Sequence, residues 1–127
     1  MASLSTYLRA LRLPFLTGSL LPVTAATALA YLIDRTFFPG LFLLNALGVA
    51  ALHLGANLNN DYYDAFGSDP INLNVTPFSG GSRVIQDREL SPKTVRHLAY
   101  LLLALGVVCG GALIYLGRPW VALVGAL

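Results

Sequence analysis

Long apolar runs, separated by short polar segments, dominate the chain. Three of them reach the roughly 20 residues that a helix needs to cross the hydrocarbon core of a bilayer. They are residues 13–33, 37–57 and 98–117, and a fourth run, 120–127, stops after eight residues. The pattern predicts an all-α membrane protein with three transmembrane helices and the start of a fourth, cut inside that fourth helix.

The first run also allows a second interpretation, as a signal peptide. Arg9 and Arg12 precede it, and the Ala-Leu-Ala sequence at 28–30 resembles a cleavage site. A transmembrane helix is favoured because the apolar stretch is longer than a usual signal core. Pro14 and Pro22 also suit a kinked helix that neighbouring helices support.

Composition agrees with a membrane setting. Hydrophobic residues make up 56% of the 127 residues, charged residues only 11%, and the mean hydropathy is +0.68. A soluble domain carries about 25% charged residues. The net charge of +2 is small and the basic residues form no block, so no nucleic-acid partner is expected. The lipid bilayer is the predicted environment.

Basic residues predict the orientation of the spans. With three spans, the N-terminal segment and the long segment 58–96 lie on the same side of the membrane. That side carries six of the eight basic residues, and the other side carries only Arg35 and Arg118. The positive-inside rule places the long segment in the cytoplasm. We therefore expect an integral protein of an inner or plasma membrane, with a cytoplasmic loop at about 65–96.

An acidic cluster follows the second apolar run directly. Residues 57–69 (NLNNDYYDAFGSD) hold three of the chain's six acidic residues. If the second helix continues through Asp64, to span about 37–64, then Asn57, Asp61 and Asp64 share one helical face. Two ionised carboxylates this close to a membrane are costly unless something neutralises them.

A divalent cation would remove that cost. Oxygen ligands from carboxylates and an amide suit a hard ion such as Mg²⁺, which also takes waters and substrate phosphates. Gly67 is expected to end the helix, and Asp69 follows on the turn. The alternative is a helix end that polar residues cap in the headgroup region, without any metal.

The segment 76–92 (TPFSGGSRVIQDRELSP) adds candidates for binding an anion. Its Ser-Gly-Gly-Ser-Arg stretch at 79–83 lets backbone N–H groups approach an anion, and Arg83 could grip a phosphate bidentately. A flexible loop is the alternative for such a sequence. After it, Ser91 is predicted to cap a helix with Pro92 at the first position, running into the third span.

The sequence Asn57-x-x-x-Asp61-x-x-Asp64-x-x-x-x-Asp69 resembles the first Asp-rich motif of the UbiA-type intramembrane prenyltransferases. The Asn-Asp-Tyr-Tyr-Asp core, followed by Gly-Ser-Asp and then SGGSRVIQ, is most similar to the branch that prenylates 1,4-dihydroxy-2-naphthoate in menaquinone synthesis. The resemblance covers essentially the whole chain. It implies that residues 1–127 are the N-terminal part of a single domain of about nine transmembrane helices around a central cavity.

The resemblance also implies a reaction. Members of the family use Mg²⁺ to bind the diphosphate of a polyprenyl donor, and the allylic cation that forms attacks an electron-rich aromatic acceptor. The implied catalytic residues are Asp61, Asp64 and Arg83. The implied metal ligands are Asn57, Asp61, Asp64 and Asp69, and the implied substrate-binding residues are Asn57, Asn60, Tyr63, Ser82 and Arg83.

The chain departs from the family in one large respect. The second Asp-rich motif is absent, since the only later acids are Asp87 and Glu89, in the loop before the third span. We therefore expect the chain to be a fragment, inactive alone, that needs the remainder of the same polypeptide. A natural short product with a partner chain is the less favoured interpretation.

Other functions stay open. A transport domain could use these carboxylates to bind a cation that moves through the membrane. Such a domain would place its acids near the midplane of the bilayer, whereas here they lie at the end of a helix. A structural membrane protein would show no metal dependence. Within the enzyme interpretation, the acceptor could instead be 4-hydroxybenzoate, a homogentisate-like phenol, chlorophyllide or a lipid headgroup.

Three glycines and one histidine inside the spans call for separate interpretations. Gly106, Gly110 and Gly111 are predicted to allow close helix packing and to have no chemical role. His53 lies one helical turn before Asn57. It either faces the cavity or hydrogen-bonds a neighbouring helix.

Overall fold

The structure is a computed structural model that describes residues 3–71 and 81–126. Helices follow one another along these two ranges, and no strand occurs within them, which confirms the all-α prediction. The α-helices are α1 (Leu4–Leu11), α2 (Leu16–Asp34), α3 (Pro39–Asp64), α4 (Pro92–Tyr115) and α5 (Trp120–Gly125). Two short 3₁₀ helices cover Leu13–Phe15 and Asp69–Ile71.

Three stretches of the described chain are long and apolar enough to cross a membrane: Leu4–Asp34, Pro39–Asp64 and Pro92–Tyr115. They match the three predicted spans. The first stretch is not one continuous helix, because Arg12 adopts a left-handed backbone (φ 51°, ψ 45°) that ends α1. A short helix therefore precedes the first span, where the sequence had shown only an N-terminal flank.

The third span starts earlier than its apolar run, at Pro92 rather than at residue 98. Ser91 caps the helix, as predicted, because its hydroxyl accepts a hydrogen bond from the N–H of Thr94 at 3.1 Å. Pro92 occupies the first turn, where its missing N–H costs nothing. The polar segment with Lys93 and Arg96 is therefore the first part of α4.

Glycines bring α3 and α4 into close contact. A Cβ on Gly55 would lie 3.0 Å from the backbone nitrogen of Leu103 and 3.1 Å from the carbonyl oxygen of Ala99. A Cβ on Gly106 would lie 2.5 Å from Leu52. The two backbones can approach only because these positions lack side chains, which is how many transmembrane helices associate.

The packing prediction holds for one of the three glycines of α4. Gly106 lies in the interface with α3. A Cβ on Gly110 would meet only Val121 of α5, at 3.9 Å, and Gly111 has no neighbour within 4 Å in the described part of the chain. Sequence spacing could not tell these three positions apart, because only the neighbouring helix decides which glycine is covered.

One end of the bundle holds a small apolar core made by α1, α3, α4 and the segment 81–90. Its buried members are Ala10, Leu58, Val84, Leu90, Val95 and Ala99. The opposite end carries a cavity of about 470 Å³ that Asp34 and Arg118 both line. The N-terminal segment and the loop before α4 therefore share one end, as the count of spans requires.

Candidate functional site

The acidic cluster lies on the last two turns of α3. The helix is continuous through Asp64, as predicted, so Asn57, Asp61 and Asp64 share one face. Asp61 is only 4% exposed, whereas Asn57 and Asp64 are half-buried. Beyond the helix, the N–H of Gly67 donates to the Asp64 carbonyl at 3.0 Å in a closing turn.

The loop before α4 contacts the acidic cluster directly. The backbone N–H of Ser82 donates a hydrogen bond to Oδ2 of Asp61 at 3.1 Å. A buried carboxylate needs such donors, because it has lost its contacts with water. The structure thus brings together two of the predicted site residues that are far apart in the sequence.

The backbone on either side of Ser82 is unusual. Gly81 (φ 70°) and Arg83 (φ 60°) both lie in the left-handed region. A glycine adopts it freely, but for a residue with a Cβ it costs about 1–2 kcal/mol. Such strain persists only where the surroundings hold the backbone in place, and it is frequent at functional sites.

The side chain of Arg83 is half-buried. It makes no hydrogen bond or ion pair with any residue that the structure describes. Arg83 follows Ser82 directly, so its backbone lies next to the residue that binds Asp61.

Asn60 and Tyr63, predicted to bind substrate, lie on the open side of α3. Asn60 is exposed, and Tyr63 is 57% exposed. The neighbouring Tyr62 instead packs against the apolar core and receives a hydrogen bond from Nη1 of Arg96 at 3.4 Å. Tyr62 is therefore the tyrosine that packs against the apolar core, and the ring of Tyr63 lies edge-on against it, with the ring centroids 5.2 Å apart.

The predicted metal ligands are only partly described. Within residues 3–71 and 81–126, no group of three or more His, Cys, Asp or Glu side chains is placed to hold a metal ion. The side chain of Asp69 lies outside this description, as do Ser79 and Gly80 of the predicted anion-binding stretch. The described part of the site offers two carboxylates and the Asn57 amide.

Buried polar atoms next to Asp61 have no partner among the described residues. They are Nδ2 of Asn57, one helical turn before Asp61, and the hydroxyl of Ser82, whose N–H binds Asp61. Buried polar groups in proteins are rarely left unpaired, so such atoms need an explanation, such as a bound ligand or water.

His53 bonds to a neighbouring helix, which was one of its two interpretations. Its Nδ1 lies 2.8 Å from the hydroxyl of Ser19 on α2. Its Nε2 is buried and has no partner within the described ranges.

A group of polar residues at the same end was not anticipated from the sequence. Thr6 Oγ1 donates to Oε2 of Glu89 at 2.9 Å, and Arg9 Nη2 donates to Oε1 of the same carboxylate. The bond from Arg9, and then that from Thr6, hold the pKa of Glu89 below its ordinary value. The available signal was the amphipathic period of residues 4–11, which predicts a surface helix but not its partner.

Comparison with characterised proteins shows similarity to prenyltransferases of one family. The chain is 35% identical over 112 residues to UbiA prenyltransferase domain-containing protein 1 of Mus musculus, covering 88% of this chain and 32% of the relative. It is also 35% identical over 130 residues to 1,4-dihydroxy-2-naphthoate octaprenyltransferase of Mycobacterium tuberculosis. That alignment covers 100% of this chain and 41% of the relative. The corresponding Mycobacterium leprae protein is 34% identical, covering 99% and 41%. These similarities are consistent with the UbiA-type prenyltransferase family.

The chain spans only part of the relatives that it matches, 32% of the mouse protein and 41% of the mycobacterial ones. No family profile matches it, and no solved structure does. The alignment with the Mycobacterium tuberculosis protein nevertheless covers 100% of the chain, so it includes both the acidic end of α3 and the loop that contacts Asp61. The resemblance noted in the sequence is confirmed at the level of the family.

Proposed function

We propose that this chain is part of a membrane enzyme that transfers a polyprenyl group from a polyprenyl diphosphate to an aromatic acceptor. The hydrogen bond between Ser82 and Asp61 carries the proposal, because it joins the acidic end of α3 to the loop with Arg83. Carboxylates can bind a cation and a guanidinium can bind a diphosphate, so residue types suited to both ligands meet where the loop contacts α3. The rest of the same polypeptide, or a partner chain, supplies the remaining helices.

The residues present fit Mg²⁺. Asp61 and Asp64 offer carboxylate oxygens from one helical face, and Mg²⁺ takes one or two protein carboxylates and fills its other positions with water and phosphate oxygens. The amide of Asn57 can rotate to present either its oxygen or its unpartnered nitrogen. When bound, the ion would neutralise charge on the diphosphate.

Arg83 and Ser82 are proposed to hold the diphosphate. The guanidinium has the fork geometry that matches phosphate oxygens, and the unpartnered Ser82 hydroxyl can donate a further hydrogen bond. As the bond between the allylic carbon and the diphosphate oxygen breaks, the electron pair leaves with the diphosphate. Arg83 would stabilise that developing charge, while an acceptor ring carbon bonds to the allylic carbon and then loses its proton.

The acceptor we propose is 1,4-dihydroxy-2-naphthoate, which would place the enzyme in menaquinone biosynthesis. The names of the two mycobacterial relatives support this choice, and their identity to the chain is 35% and 34%. We also propose that the acidic cluster faces the cytoplasm from an inner or plasma membrane. Six of the eight basic residues lie on the side that carries the cluster, which supports that orientation.

The test uses the full-length protein in lipid nanodiscs, with a radiolabelled polyprenyl diphosphate. We expect transfer to 1,4-dihydroxy-2-naphthoate that depends on Mg²⁺, and slower transfer to 4-hydroxybenzoate. Arg83→Gln should abolish most of the transfer, whereas Arg88→Gln should not. Arg88 is a matched control because it lies in the same loop with a similar backbone (φ 57°) and is exposed.

Two outcomes would contradict the proposal. Transfer that persists after chelation of divalent metal would exclude the Mg²⁺ role. A full-length protein that transfers no prenyl group to any aromatic acceptor would exclude the reaction, and a metal-binding but inactive protein would favour a cation-binding membrane domain.

A further inference from the structure

The N-terminal helix α1 contacts the loop that holds Asp61, although neither element lies beside the other in the sequence. Glu89, near the end of that loop, accepts hydrogen bonds from both Thr6 and Arg9 of α1. Thr6 is itself only 7% exposed, so its hydroxyl is directed into this contact. We call Thr6, Arg9 and Glu89 the Glu89 cluster.

The loop between Ser82 and Glu89 is a compact turn. The N–H groups of Glu89 and Leu90 both donate to the carbonyl of Val84, at 2.9 and 3.0 Å. The N–H of Asp87 donates to the carbonyl of Arg83 at 2.9 Å. Because these bonds close the turn on itself, a displacement of Glu89 would displace Val84, and with it the neighbouring Ser82.

Apolar contacts join the same elements. Val84 is 0% exposed and packs in one core with Ala10 of α1 and Leu58 of α3, which are 1% and 0% exposed. Leu58 lies one helical turn before Asp61. The turn therefore rests on the same part of α3 that carries the acidic side chain, and α1 covers it from the other side.

We propose that the Glu89 cluster is a positioning device, through which α1 holds the N–H of Ser82 against Asp61. This inference rests on the proposed function, because the cluster is assigned the role of keeping the residues of that site in place. None of its three residues needs to touch substrate. Their contribution is to fix the loop, so that Arg83 and the acidic cluster face the same ligand.

When the contacts of the Glu89 cluster are removed, we expect a protein that still folds but binds Mg²⁺ and the prenyl diphosphate more weakly. In Glu89→Ala the turn loses the two bonds that Glu89 accepts from α1 and keeps the longer ion pair between Arg9 and Asp87 at 3.9 Å, so Ser82 should leave Asp61 more often. Residues that orient metal ligands typically alter metal affinity or activity by about 10–100-fold when they are changed. We expect the Mg²⁺ concentration for half-maximal rate, and the KM for the prenyl diphosphate, to rise by about tenfold, with a smaller change in kcat.

The experiment has one structural and one kinetic measurement on the full-length protein. Hydrogen–deuterium exchange at residues 81–90 reports the loop without requiring turnover. Glu89→Ala should speed exchange there and leave α4 protected, whereas Arg88→Gln should behave as the wild type. The exchanged pair Arg9→Glu with Glu89→Arg should recover part of the slow exchange and of the low Mg²⁺ requirement relative to either single variant. The ion pair re-forms, but the guanidinium cannot accept the hydrogen bond from Thr6, and Asp87 loses its cationic neighbour.

The outcomes separate this inference from the proposed function. Unchanged exchange at residues 81–90 in Glu89→Ala would overturn the positioning role, whatever the turnover. Faster exchange with unchanged kinetics would also overturn it, while leaving the proposed reaction intact. A wild-type protein without prenyl transfer would overturn the proposed reaction, and any positioning role in it, even if exchange showed that the cluster holds the loop.

Discussion

The backbone N–H of Ser82 binds the carboxylate of Asp61 at 3.1 Å, across 21 positions of sequence. Each of the two segments carries a modest signal by itself: acids at a helix end, and a glycine–serine loop with an arginine. Their contact brings the two segments together. Asp61 is 4% exposed, and Asp64, one helical turn later, is half-buried.

Asp61→Asn should reduce prenyl transfer strongly without unfolding the protein. The amide oxygen of the new side chain can still accept the Ser82 hydrogen bond, but the negative charge is lost. We expect kcat/KM to fall by about 100-fold or more, because a bound metal contributes several kcal/mol of charge stabilisation. Steady-state kinetics at several Mg²⁺ concentrations measure the loss.

Asp34→Asn is the control for the removal of an acid. Asp34 ends α2 at the opposite end of the bundle. Its substitution should leave kcat/KM within about twofold, since it is remote from the proposed site. Equal losses in the two variants would show that the measurement reports stability instead of chemistry.

Gly55→Ala should destabilise the packing of α3 against α4. The new Cβ would meet the backbone of Leu103 and Ala99 at 3.0 and 3.1 Å, and backbone atoms cannot rotate away. We expect the free energy of unfolding to fall by about 1–3 kcal/mol, as for other overpacked interiors. Unfolding of the full-length protein in mixed detergent–SDS micelles gives this quantity.

Gly111→Ala and Gly106→Ala calibrate that result. Gly111 has no neighbour within 4 Å among the described residues, so its substitution adds no clash with α3 and should cost less than that of Gly55. Gly106→Ala meets the side chain of Leu52, which can adopt another rotamer, and the added substitution Leu52→Ala should relieve most of its cost. A Gly55 variant as stable as the Gly111 variant would contradict the close contact.

Ser91→Ala should weaken the first turn of α4. The Ser91 hydroxyl accepts the N–H of Thr94 at 3.1 Å, and the loss of such a cap costs about 1 kcal/mol. Ser91→Asp should keep most of that stability, because aspartate is an equally good cap. Melting temperatures of the two variants, measured side by side, test the point, and equal losses would exclude the cap as their cause.

The contribution of Glu89 should depend on pH in one direction. The hydrogen bond from Arg9, followed by that from Thr6, lowers the pKa of Glu89 below 4.5 in the folded state. The folded state therefore binds the proton less readily than the unfolded state, and the stabilisation is fully present above pH 4.5. It is lost as the pH falls through the lowered pKa.

Glu89→Gln isolates this effect, because it removes the titrating group and keeps the shape. The difference in melting temperature between wild type and variant should be constant from about pH 7 to about pH 5 and should shrink at lower pH. A difference that grew on acidification would mean that the carboxylate is not the stabilised form.

Local rules predicted much of the molecule. The three spans, the Ser91 cap with Pro92 after it, and the shared face of Asn57, Asp61 and Asp64 all came out as the sequence indicated. Each depends on contacts within about one helical turn or on the apolar length of one segment. Such features depend on short-range hydrogen bonding and on the transfer of apolar side chains to lipid, and both can be predicted from the types of neighbouring residues in the sequence.

The sequence by itself therefore determined the helices and the resemblance of the chain to the UbiA-type family, and the diphosphate-binding residues stay a prediction. Only the tertiary structure decided that Ser82 meets Asp61, that Tyr62 packs while Tyr63 stays open, and that Glu89 binds α1 across 80 positions. These contacts depend on which faces of distant segments meet. No local pattern encodes that choice, since the same amphipathic helix or glycine-rich loop can pack against many partners.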